Sequence, residues 1–118
     1  MTKTLVFQSL SGSNEFKEVL SGKKISSNLF TIFYKSKNSK DKKLSIQLSC
    51  VAAKKLGNAV RRNRMRRRLK MATRKAILEI GLKFEKKFKY AIFARPKIYN
   101  EEFQNIVNEL SSKLEKLR

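Results

Sequence analysis

The chain has 118 residues, with 29 Lys and Arg against 9 Asp and Glu, a formal charge of +20. It contains one Cys, one Pro, no His and no Trp. The length accommodates one domain, 1–118, and excludes two ordinary ones; a lone cysteine excludes an internal disulfide or a zinc cluster, and imidazole catalysis is ruled out.

Self-repulsion at this charge calls for an abundant anionic partner. The first apolar run, Leu5 to Phe7, is too short for a secretion signal. No stretch reaches the roughly 18 apolar residues of a membrane span. A cytoplasmic protein without membrane contact is expected, with residues 1–12 as a flexible N-terminal arm. Cys50 falls in an apolar pattern and reads as a reduced packing group.

The first element is a short helix over 13–22. Ser13 suits its cap, Phe16, Val19 and Leu20 share a face, and Gly22 suits the stop. Residues 23–27 read as a short strand. Residues 29–35 are β-branched and aromatic and form a longer one, with Phe30, Ile32 and Tyr34 on one face and Leu29, Thr31 and Phe33 on the other. Apolar groups on both faces imply cover on both sides. Ser36 to Lys43 is a polar, Lys-rich loop. In the next strand Leu44, Ile46, Leu48 and Cys50 alternate with Ser45, Gln47, Ser49 and Val51, which predicts a mostly polar outer face.

A long helix follows, to about Ile80, with Gly81 as its stop. Residues 88–95 form another strand, ended by Pro96. The last helix is expected to be capped by Asn100, with Glu101 and Glu102 at its positive end and Phe103, Val107, Leu110, Leu114 and Leu117 as its buried stripe. The order αβββαβα predicts a small two-layer α+β sandwich, with a mixed sheet of about four strands and three helices.

The charge is uneven. From Lys54 to Lys75 there are 11 basic residues and no acid. At about 100° per residue, Met65, Leu69, Ala72, Ala76 and Ile80 form one apolar seam. Asn63, Arg67, Lys70 and Arg74 fall opposite it. Arg62 and Arg66 lie on one flank, and Arg64, Arg68 and Lys75 on the other. Like charges three and four apart oppose helix formation, a cost that docking on a polyanion offsets. The preponderance of Arg over 61–68 suits bidentate phosphate contacts. Among rings that could stack on unpaired bases, Phe16, Phe30, Phe33, Tyr90 and Phe93 also suit a core, whereas Tyr34 ends its strand and suits partial exposure. None of the nine acids forms a recognisable metal motif, and no Walker-type loop is present. Three classes stay open: a chaperone or subunit of an RNA enzyme, a ribosomal protein, and a DNA-binding protein.

The segment Lys54-Lys55-Leu56-Gly57-Asn58-Ala59-Val60-Arg61-Arg62-Asn63-Arg64-Met65-Arg66-Arg67 resembles the signature of the bacterial ribonuclease P protein family: a Lys pair, Gly-Asn-Ala-Val, then Arg-Asn-Arg and two more basics. The resemblance extends over residues 13–117, through Glu15 to Gly22, Asn28 to Tyr34 and Tyr90 to Pro96. It departs at Leu20, where the family commonly has Phe, and at Leu29, where a basic residue often follows Asn28.

The resemblance implies a left-handed βαβ crossover around the basic helix. It implies a protein that pairs with a catalytic RNA to cleave the 5′ leader from precursor tRNA, with Mg²⁺ held mainly by the RNA and no catalytic side chain or obligate protein partner. Arg62, Asn63, Arg64, Arg66, Arg67 and Lys70 would bind the RNA subunit, joined by Arg61 and Arg74 from the same run. Phe16, Asn28, Tyr34 and Lys54 would bind the leader.

Overall fold

The computed structural model describes residues 7–10, 12–37 and 46–117. Its elements are β1 (Phe7–Gln8), α1 (Gly12–Leu20), β2 (Lys23–Ser26), β3 (Phe30–Ser36), β4 (Ile46–Val51), α2 (Ala59–Ile80), β5 (Phe88–Ala94) and α3 (Phe103–Glu115). Short 3₁₀ turns occupy Lys54–Leu56, Gly81–Lys83 and Pro96–Tyr99.

The expected three helices and four main strands are present, in the expected order. A fifth, two-residue strand joins them. The sheet order is β1-β4-β5-β3-β2. β5 runs antiparallel to β3 and parallel to β4, and β2 is antiparallel to β3, so the sheet is mixed. β4, α2 and β5 make a parallel crossover unit that carries the basic helix over the sheet.

Strand alternation sorts the side chains into two faces. Phe30 and Ile32 from β3, Ile46 and Leu48 from β4, and Tyr90 and Ile92 from β5 meet Met65, Leu69, Ala72, Ala76 and Ile77 of α2 and Ile106, Val107, Leu110 and Leu114 of α3 in the main core. α1 lies on the other face. Phe16 packs on Phe93 at 5.8 Å between ring centroids, and Phe93 meets Phe33 at 5.4 Å. Val19 and Ala91 are fully buried yet fall outside the main core. The apolar groups on both faces of β3 are thus covered, as their pattern implies.

Several boundaries differ from expectation. Residues 1–12 were expected as an arm, yet Phe7 and Gln8 pair in parallel with Ile46 and Gln47; residues 1–6 lie outside the described residues. Two residues are too few for any period to show in sequence. α1 starts at Gly12, so Ser13 lies inside its first turn. Asn100 follows the Pro96–Tyr99 turn and does not cap α3, whose N-cap is Glu102 without a side-chain cap bond. Asn105 instead donates to the Glu101 carboxylate at 3.1 Å.

Gln47 was expected on a polar outer face but is 2% exposed, and its Oε1 has no hydrogen-bond partner. The segment after β1 crosses this face, where the Leu10 amide donates to Ser49 Oγ at 3.0 Å. The loop expected over 36–43 and the start of its strand, Leu44 and Ser45, fall mostly outside the described residues.

Cys50 packs against the main core, and burial pushes its thiol from 9.0 up to about 12, against the opposing pull of a Thr73 hydrogen bond and the charges of Lys70 and Arg74. Native protein at pH 8 is expected to resist iodoacetamide, while urea-unfolded chain reacts at the rate of a free thiol; equal rates would refute this burial. Between pH 9 and 12 the unfolded chain releases this proton and the native chain keeps it. The associated stability is therefore full below about pH 9 and lost as pH rises. Tyr90 acts in the same direction: burial raises its phenol, whose hydroxyl donates to the Glu85 carbonyl.

Candidate nucleic-acid interface

α2 begins where a glycine is required. Gly57 has φ 137°, and a Cβ there would lie 2.5 Å from Arg61 Cδ. Asn58 then caps the helix, its Oδ1 accepting from the Arg61 amide at 2.9 Å. Of the apolar seam expected at Met65, Leu69, Ala72, Ala76 and Ile80, the first four are buried, together with Thr73 and Ile77, and Ile80 is half-buried. Thr73 is tolerated there because its hydroxyl donates to the Leu69 carbonyl at 2.7 Å. At the far end, the Gly81 amide donates to the Ile77 carbonyl.

The seam fixes where the cations go. Arg61, Asn63, Arg64, Arg66, Arg67, Lys70 and Arg74 are exposed, and Arg62 is half-buried. All eight residues expected at the RNA-subunit surface therefore lie on one helix, with seven at its exposed surface. Arg66 donates to Asn63 Oδ1. Arg62 Nε is buried without a hydrogen-bond partner. Arg74 stands 5.2 Å over the Phe7 ring, so β1 reaches the side of this helix.

Tyr99 went unnoticed in the sequence. Its ring lies 4.3 Å from the Arg61 guanidinium carbon and 4.9 Å from that of Arg64. Arg64 Nε also donates to the Tyr99 carbonyl at 3.4 Å. One turn further along, Arg68 donates to the carbonyls of Ile98, at 3.2 Å, and Glu101. The turn before α3 thus grips three arginines of α2. The sequence offered one hint: Tyr99 is an aromatic residue beside an otherwise polar helix start. Arg68, set by helical period on the same cationic flank as Arg64, is committed to this fold contact.

The four residues expected at the leader do not converge. Phe16 lies on the α1 face. Next to it on that face, Ser49, Val51 and Phe93 are half-buried, because α1 packs over β3 and β5. Val51 is the register partner of Phe93. Lys54 is exposed in the turn just past β4.

Tyr34 points from the opposite face. It meets Phe88 at 5.2 Å and lines a cavity of about 490 Å³ with Ser21, Gly22, Lys23, Lys35, Ser36 and Phe88. Asn28 sits at the tip of the β2–β3 turn, where Ser27 Oγ accepts from the amides of Leu29 and Phe30. It faces a cavity of about 290 Å³ whose lining includes Lys97, Glu101, Asn105, Asn108 and Glu109. Ser49 and Val51, which the sequence did not single out, were legible only as the outward half of a period-two strand.

Among the described residues no three His, Cys, Asp or Glu side chains converge as a metal cage, and no helix is long and apolar enough to cross a membrane.

A basic helix gripped along one flank and turned outward from a mixed sheet defines a protein built to dock on nucleic acid. Comparison with known proteins gives the class a family. The family model described as Ribonuclease P matches residues 6–118. A ribonuclease P protein component from Carboxydothermus hydrogenoformans is 36% identical over 102 residues, covering 86% of this chain and 83% of that protein. One from Mycoplasma mycoides subsp. mycoides SC is 40% identical over 68 residues, covering 57% and 59%. The fold is shared with the RNase P protein of Staphylococcus aureus (TM-score 0.65, 22% identity, 92% of this chain and 94% of that one) and with that of Thermotoga maritima (TM-score 0.66, 20% identity, 87% and 91%). The chain belongs to the ribonuclease P protein family, the protein component of the endoribonuclease that processes tRNA 5′ ends.

Proposed function

We propose that this chain binds the catalytic RNA subunit through α2 and holds the 5′ leader of precursor tRNA beside α1, in the cytoplasm, while the RNA performs cleavage. The observation that carries the reading is the acid-free run from Lys54 to Lys75, most of whose cations are exposed on a helix whose other side is locked in the core. Neutralising RNA phosphates along α2 lowers the repulsion that a second RNA, the substrate, would meet. In this reading Mg²⁺ is held mainly by the RNA, whose phosphates supply the hard oxygen ligands it prefers.

For the leader, the half-buried patch of Phe16, Phe93, Val51 and Ser49 offers aromatic and apolar surface and a hydroxyl to an unpaired nucleotide, with Lys54 just past the end of β4. Unpaired bases stack on such rings with little regard for sequence. Tyr34 and Asn28 would serve the leader only if the strand passes around the sheet edge.

Reconstitution with the cognate ribonuclease P RNA and precursor tRNA at low Mg²⁺ tests the reading, and stimulated 5′ cleavage is expected. Phe16→Ala is expected to lower affinity for precursor about tenfold, at roughly 1–3 kcal/mol per stacked base, with affinity for mature tRNA unchanged. A larger effect from Tyr34→Ala would move the leader to the opposite face.

A further inference from the structure

Three large apolar side chains on α2 are left in solvent: Val60 at 79% exposure, Met71 at 61% and Leu78 at 62%. Single exposed apolar groups need no explanation. These three, however, share one line. They are spaced 11 and 7 residues apart, so at about 100° per residue they fall within about 20° of one another, opposite the buried seam. The line runs about 27 Å along the helix at ~1.5 Å per residue. Arg67 lies on it between Val60 and Met71, Arg74 stands beside it and Lys70 about a quarter turn away, all exposed.

We propose that the outward face of α2 meets RNA through apolar as well as ionic contact, with Val60, Met71 and Leu78 laid against ribose and base surfaces while the interleaved cations hold phosphates. The inference deepens the docking role proposed for α2 and rests on it. The occupant follows from charge. A second copy of the chain would bring Arg67, Lys70 and Arg74 against their own kind, an arrangement that costs free energy. RNA offers phosphates to the cations, and the shallow minor groove of its helices displays ribose and base edges to side chains. An apolar contact there adds affinity without releasing counterions, a separable signature.

The test is a salt series with the full chain and the cognate ribonuclease P RNA. In the triple variant Val60→Gln, Met71→Gln and Leu78→Gln, affinity is expected to fall roughly tenfold, the scale set by losing a few tens of Å² of apolar contact at each position. The slope of log affinity against log salt should stay at the wild-type value, because no phosphate contact is lost. The thermal midpoint should also stay, since all three side chains are exposed.

Wild-type affinity in the triple variant would overturn the inference. So would a flattened slope, which would mean that the cations had been displaced. If sedimentation shows wild-type chain self-associating and the variant monomeric, the face belongs to a second copy and the proposal falls. A wild-type chain with no affinity for the RNA at any salt would instead remove the α2 docking role itself.

Discussion

Replacing Arg66, Arg67 and Lys70 together by Ala is expected to weaken binding of the cognate ribonuclease P RNA about 100-fold near physiological salt, and to lower the salt slope by about 2 to 3. The three side chains are exposed, and each neutralised phosphate contributes roughly 0.7 to 0.9 to that slope. The stability change should have the opposite sign. Lys70 lies three residues from Arg67 and four from Arg66, so the wild-type helix carries like-charge repulsion of a few tenths of a kcal/mol per pair. Alanine relieves it and is the better helix former. The hydrogen bond from Arg66 to Asn63 is lost, but it is exposed, so water replaces it. Filter binding over a salt series, paired with a thermal melt, checks both signs. A variant that binds weakly because it has unfolded would show a lowered midpoint, and that result would refute the assignment of these residues to docking.

Arg68→Ala is expected to do the reverse: it should cost about 2–3 kcal/mol of stability, with RNA affinity falling less than for the outward cations. Its guanidinium donates to the Ile98 and Glu101 carbonyls, and a hydrogen bond from a charged donor contributes about 1.5–3 kcal/mol. Truncation also leaves carbonyls at the start of α3 without this donor. For a chain of this size the loss corresponds to roughly 10 °C in the thermal midpoint. Arg68→Lys should rescue little, because one ammonium cannot reproduce the planar fork that reaches two carbonyls three residues apart. Urea melts of the three proteins decide the matter; equal midpoints for wild type and Arg68→Ala would show that the clasp contributes nothing.

The contrast between Arg67 and Arg68 marks the limit of what the sequence could say. Helical period placed Met65, Leu69, Ala72 and Ala76 inward and Arg67 outward, and both placements hold. Period also set Arg68 and Arg64 on one flank, but it could not say what would stand beside that flank. The answer, a turn some 30 residues further on, is a non-local fact. Tyr99 was invisible for the same reason: its role depends on Arg61 and Arg64, which only the folded chain brings to it.

The sheet shows the same division. Two-residue alternation sorted Phe33 from Ile32 and foretold cover on both faces of β3. It misjudged Gln47, whose face is crossed by a segment that follows a strand too short to carry a pattern. It could not tell that Tyr34 and Phe16, both suited to stacking, would face opposite ways. Strand alternation gives Tyr34 a side relative to Phe33, but the position of α1 above the Phe33 side is a matter of packing.

The position of β5 bears on how the protein is made. β3 and β4 are not neighbours; β5 stands between them and pairs with both. During synthesis neither can find its central partner until residues 88–94 have left the ribosome. All of α2 has been made by then, and with it most of the positive charge. During that interval the sheet that buries the seam of α2 lacks its central strand, and loop closure over such distances slows folding further. The nascent chain therefore displays a long cationic segment in a cell full of RNA before it possesses the scaffold that gives the segment its shape. Charge precedes form in the birth of this protein.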